Sequence, residues 1–244
     1  METSGLIALS RQAAVRREMA VIATNLANMN TIGYQGEQMM FVEHLVKSEG
    51  QGSLIPTVLS FSLDIGQIRN TAEGPIQSTS NPLDVAIKGD GWFAIETEDG
   101  ERYTRNGRFR LNQEGQIVTQ HGYPVLSDAG VPFTLAPGDT DIEISRDGTV
   151  ATNNGELGKF RVVEFQRTQR MEKEAGGIYK TNEPPEEPEK VEILQGALEG
   201  SNVNPILEMT KMIDVHRSYN GARTFIDEED KRQRKMIDQL APRI

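Results

Sequence analysis

The chain has 244 residues, with 36 Asp and Glu against 26 Lys and Arg, for a formal net charge of −10. That balance excludes DNA and RNA as main partners, because nucleic-acid affinity rests on basic residues displacing phosphate counterions. Cysteine is absent, which excludes disulfides and thiolate zinc sites. The length allows one domain or two, since domains of about 100 to 150 residues are the common size.

The N-terminal thirty residues contain two short apolar runs, Leu6 to Leu9 and Met19 to Ala23, separated by Arg11, Arg16 and Arg17. A cleavable signal peptide needs an uninterrupted apolar core of roughly 7 to 15 residues. These residues are therefore expected to belong to the mature protein, with no membrane insertion and with any export by a route that cleaves no signal. Leu6, Leu9, Ala13, Ala20, Ala23 and Ala27 follow alternating steps of three and four, broken only at Arg16, with Met19 and Leu26 beside them. The spacing predicts a helix of about two dozen residues, roughly 36 Å long at 1.5 Å per residue. Val15, Val21 and Ile22 lie off this seam, so the helix is apolar on more than one face and calls for more than one partner. It should end within Asn28 to Gly33, where Asn and Gly supply exit chemistry.

From Gly89 to Phe165 the texture changes to short β-rich runs: Trp92 to Ile95, Gln116 to Thr119, Ile142 to Ile144 and Phe160 to Val163. Glycines at near-even spacing punctuate them, the pattern of an antiparallel sandwich or barrel. Asn182 to Lys190, with three prolines and four glutamates, reads as an acidic connector. Asn204 followed by Pro205 then fits a helix N-cap with proline at the first helical position. Beyond it Met209, Met212, His216, Tyr219, Arg223, Ile226, Asp230, Gln233, Ile237 and Leu240 fall on a seven-residue repeat. Polar residues at 223, 230 and 233 make this a poor isolated coiled coil.

No catalytic pattern stands out. The three histidines (His44, His121 and His216) match no metal-binding, nucleophile-elbow or phosphate-loop spacing. Gly89-Asp90-Gly91 holds two glycines of a dinucleotide fingerprint but precedes a strand, so it is read as a tight turn. Asp99-Gly100 and Asp147-Gly148 lack the ligand array of a calcium loop and are read as turns as well. His216 is read as a packed or half-exposed imidazole. No catalytic residue, metal site or cofactor is expected, and the chain is not expected to be an enzyme.

Three strings then resemble a known family. Asn25-Leu26-Ala27-Asn28-Met29-Asn30-Thr31-Ile32-Gly33-Tyr34 is similar to the signature of bacterial flagellar rod and hook proteins, with Thr24 where the family usually has Asn. Asn81 to Phe93, continuing through Tyr103 to Gly107 and Gly122 to Leu126, resembles the start of that family's central β domain. Gln195 to Asn204 is similar to the segment before its C-terminal helix. Within these strings Asn25, Ala27, Asn28, Asn30, Gly33, Tyr34, Ser201, Asn202 and Val203 carry the signature. Within that family, length sets the chain apart from the shortest rod subunits and from the longer hook protein, and Ile7 to Gln12 and Leu157 to Val163 are more similar to the proximal than to the distal type of rod subunit.

The resemblance implies an α+β fold with an inner coiled-coil-like domain of terminal helices (1–30 and 205–244), an extended connecting region (31–80 and 181–204) and a central antiparallel β domain (81–180). It implies assembly with copies of itself and other rod subunits, and contact with the flagellar type III export apparatus. The location implied is the periplasmic span of the basal-body rod. The expected assembly interface is Leu6, Leu9, Ala13, Ala20, Ala23, Leu26, Ala27, Met209, Met212, Tyr219, Ile226, Ile237 and Leu240. Long helices with little to bury against in one chain are expected to fold as neighbours supply the missing surface. Two other readings of the residues stay open at this point, a secreted β-rich binding module and a carboxylate-based hydrolase.

Overall fold

The structure, a computed structural model, describes residues 2–48, 57–188 and 190–240, with the side chains of residues 2–4, 6, 41–48, 57–65 and 240 outside the described set. Helix α1 spans Glu2–Ala27 and stops at the Asn28 to Gly33 segment, as its Asn and Gly content predicts. Helix α2 spans Pro205–Leu240, 36 residues. Asn204 caps it, its Oδ1 accepting from the N–H groups of Ile206 at 3.1 Å and Leu207 at 3.3 Å. Those are two of the donors that a helix start leaves unpaired, and Pro205 has no N–H to satisfy.

The chain divides into two compact units, and among the described residues all strand pairings are antiparallel, so the fold is α+β. The first unit comprises residues 1–27, 37–69 and 204–244. It holds α1, α2 and a long hairpin made of β1 (Glu37–Ser48) and β2 (Thr57–Arg69). The hairpin register runs from Glu37 opposite Arg69 to Ser48 opposite Thr57, with a bulge at Met40/Phe41. The division differs from the three regions expected from sequence. Residues 37–69, expected in a connecting region, pack with the helices, because α1 lies along both hairpin strands as well as along α2.

The second unit comprises residues 28–36 and 70–203. Its largest sheet has five strands, in the order Val162–Val163, Trp92–Thr97, Gly100–Thr104, Ile178–Lys180, Glu172–Glu174. Trp92–Thr97 is a central strand buried on both faces, which is why its sequence reads as an unbroken apolar run instead of alternating. Phe93 and Ile95 point into the main core with Phe109, Ile117, Val125, Phe133 and Phe160. Trp92 and Ala94 point the other way, into a second cluster with Tyr103, Phe165 and Tyr179. Edge-to-face ring pairs set the packing in both, Phe93 with Phe109 at 5.2 Å and Trp92 with Tyr179 at 4.7 Å.

The punctuating glycines are turns. Gly89 takes φ of +107° between two strands, Val85–Lys88 and Trp92–Thr97, where a nucleotide loop would require a helix to follow. At Asp147-Gly148 the carboxylate accepts from Thr149 Oγ1 at 2.9 Å, the local bond that makes Asp a turn former.

Candidate assembly surface

In α1, Ala8, Val15 and Ile22 are buried seven residues apart, with Met19 and Leu26 half-buried on the same side. Val15 and Ile22 meet Val215 of α2, and Met19, Met212 and Tyr219 close the cluster. A second buried stripe, Ala14, Val21 and Asn25, flanks the first. The seam singled out in the sequence lies elsewhere on the helix. Leu9, Ala13, Ala20, Ala23 and Ala27 are exposed, Leu9 at 51 %, while the side chain of Leu6 lies outside the described residues. The residues that looked off-seam are the ones packed within the chain.

Helix α2 shows the same shift by one residue. Glu208, Val215 and Ala222 are buried, with Met212, Tyr219 and Ile226 half-buried between them. The alternate positions of the expected repeat, Met209, His216, Arg223 and Asp230, are exposed. The polar breaks at 223 and 230 therefore do not interrupt the in-chain helix contact. Ile206 at 72 %, Met209 at 47 %, Ile213 at 54 % and Ile237 at 64 % leave a row of large apolar side chains in water. The Leu240 side chain lies outside the described residues.

The signature residues hold chain crossings together inside each unit. In the helical unit the Asn25 amide spans a ladder-like pair: its Nδ2 donates to Glu37 O at 2.7 Å and its Oδ1 accepts from Glu37 N–H at 2.9 Å. Asn25 Nδ2 also lies 3.1 Å from Glu208 Oε2, and the other Glu208 oxygen pairs with Lys211 at 2.7 Å. One side chain thus ties the end of α1 to the start of β1 and the start of α2. Nearby, burial pushes the Glu18 carboxyl above its ordinary range, with the Lys211 charge opposing that shift.

In the β unit, Asn202 does the corresponding work. Its Oδ1 accepts from Gly36 N–H at 2.8 Å, and its Nδ2 donates to Asn70 O at 2.8 Å and Ala72 O at 2.7 Å. Its own N–H donates to Tyr34 O. Ser201 Oγ accepts from the N–H of Val203, turning the chain toward α2. Gly33 has φ of +65°, and a Cβ there would lie 2.6 Å from the Arg105 carbonyl carbon, so the position needs glycine. Tyr34 is buried, with the Lys173 ammonium 4.1 Å from its ring centroid. Asn28 accepts from Thr31 through both its backbone and its side chain. Nothing in the structure explains Ala27 or Asn30, which are exposed.

Sequence reading missed the ion pair beneath this junction. Arg105 Nε lies 2.9 Å from Glu199 Oε2, with both side chains almost fully buried. Arg105 also donates to the carbonyls of Gly89 and Gly91, and Glu199 accepts from Gly74 N–H while its carbonyl accepts from Gly33 N–H. Every charge is matched by several hydrogen bonds, the condition under which burying it is tolerable.

Three family models match the chain: flagella basal body rod protein over residues 6–35, the flagellar hook protein FlgE/F/G D1 domain over 86–152, and the flagellar basal body rod FlgEFG protein C-terminal over 194–239. The chain is 35% identical to the flagellar basal-body rod protein FlgF of Caulobacter vibrioides, over 98% of each chain. It is 37% identical to the FlgF of Mesorhizobium japonicum over 90% of each. It is also 31% identical to the flagellar basal-body rod protein FlgG of Agrobacterium fabrum, over 87% of this chain and 90% of the relative. The chain belongs to the flagellar basal-body rod protein family, whose members are structural subunits and not enzymes.

Proposed function

We propose that the chain is a rod subunit of the FlgF, proximal type, which adds to the rod through the outer faces of its two terminal helices in an inner coiled-coil-like layer. The observation that carries this reading is the apolar surface that α1 and α2 leave unmatched, Leu9, Ala13, Ala20, Ala23 and Ala27 on one helix and Ile206, Met209 and Ile213 on the other. In-chain packing uses different residues, so this surface is free for neighbouring copies and other rod subunits. Contacts that repeat without closing generate a helical assembly. Export by the flagellar type III apparatus without signal cleavage, to the periplasmic span of the rod, is part of the same proposal.

The test uses positions that do not support the fold. Ala20→Glu together with Met209→Glu places charges on the outer faces and should leave the circular dichroism and melting of the monomer unchanged. Incorporation into isolated basal bodies should be abolished, and a variant that still enters rods sinks the reading. FlgG-named relatives at similar identity favour the distal type as the second reading. Electron microscopy of an intact basal body, locating this chain along the axis, decides between them.

A further inference from the structure

Within the β unit lies a cleft of about 230 Å³ that neither the fold nor the assembly surface uses. Gln35 lines it and is 3 % exposed, yet its amide oxygen has no hydrogen-bond partner among the described residues. A buried amide without a partner is costly, so such a group calls for a ligand or a bound donor. Asp90 and Glu164 also line the cleft, and neither carboxylate has an ion-pair partner among the described residues. Among the described lining residues the one cation, Arg105, is already occupied by Glu199 and by two backbone carbonyls, and its guanidinium carbon lies 6.0 Å from the Trp92 ring centroid. Trp92 and Phe165, each 3 % exposed, also line it.

What is unmatched in this cleft is acceptor capacity and negative charge, beside two aromatic side chains. We infer that it receives the guanidinium of an arginine presented by a neighbouring protein chain. Arginine offers five donors in a planar fork, is weakly hydrated, and lies flat against rings, so it supplies what Gln35, Glu164 and Asp90 lack. The inference rests on reading the chain as a subunit that meets neighbours, but the site can be probed in the monomer.

Trp92 is the chain's single tryptophan and reports directly on the cleft. N-acetylarginine amide, titrated into the full-length protein, should shift Trp92 emission saturably, and the neutral isostere N-acetylcitrulline amide should not. Glu164→Gln should weaken the interaction about fivefold, the scale of one partly screened charge pair. Gln35→Leu should weaken it as well, with circular dichroism checking that this buried substitution still folds. The inference is overturned by an unsaturable response, by an equal response to the citrulline compound, or by unchanged affinity in Glu164→Gln. Because binding is read without assembly, its failure leaves the rod proposal standing. Once binding is observed, sedimentation of concentrated protein identifies the donor. Self-association lost in Glu164→Gln assigns the arginine to a second copy, and a monomer throughout assigns it to a different subunit.

Discussion

Single residues show most plainly what the chemistry of each position is for. Asn25 and Asn202 are amides, and an amide side chain offers a donor and an acceptor together, so it can substitute for a missing stretch of backbone ladder. Aspartate at position 202 would keep the bond from Gly36 N–H and repel the carbonyls of Asn70 and Ala72. Tyr103 shows a different dependence on solution conditions. Burial, reinforced by the Glu101 charge, pushes its phenol up to about 12, while Arg161 and Arg102 oppose the shift. In the unfolded chain the phenol titrates near its ordinary 10, so between pH 10 and about 12 the unfolded state binds fewer protons and stability falls as pH rises. Tyr103→Phe should remove that part of the alkaline loss, read as a shallower fall of the melting temperature over this range. An identical slope in both proteins contradicts the assignment. The Arg105 and Glu199 pair was invisible in the sequence, because the two lie far apart in the chain and neither belongs to a periodic pattern.

At the level of elements, both helices were legible from sequence and their facing was not. Caps are local chemistry, so Asn204-Pro205 and the Asn-rich exit of α1 fixed the ends. A helix with steps of three and four carries two stripes offset by one residue, and only the partner decides which is buried. In α2 both stripes share Met212, Tyr219 and Ile226, and they part at 215 against 216 and at 222 against 223. Val215→Asp should therefore unfold the helical unit, with a loss of roughly 2 to 5 kcal/mol from a lost apolar contact and a buried unpaired charge. His216→Asp should change monomer stability by less than about 0.5 kcal/mol. Chemical denaturation of the two variants reads the register directly, and the opposite ranking restores the repeat drawn from sequence. The hairpin β1 and β2 escaped naming because its strands are joined without the short Asn-Gly signal that marks a tight turn.

For the whole molecule, the buried side chains among the described residues form three clusters, two in the β unit and one between the two helices. Among the described residues, the helix-to-helix cluster centres on Val15, Ile22 and Val215, whereas the β unit's main core contains fourteen buried residues. Local stability follows buried apolar contact, so amides in α1 and α2 should exchange with solvent well before those of the Trp92–Thr97 strand. Hydrogen-exchange mass spectrometry of the dilute monomer measures this, and uniform protection across both units rules the ranking out. In the proposed assembly, helices that exchange early suit a subunit whose ends gain surface from their neighbours.

The offset between buried and exposed stripes on the terminal helices bears on how the sequence is free to change. Substitutions at Val15, Ile22, Val215 or Ala222 answer to other residues of the same gene product, so a compensating change can arise within it. In the proposed assembly, those at Ala13, Ala20, Ala23, Met209 or Ile213, all exposed, answer to the polypeptide alongside. Drift on that outer face must be matched in a second gene, or in every copy of this one at once. Comparing lineages, the inner stripe should covary with itself and the outer stripe with its neighbours.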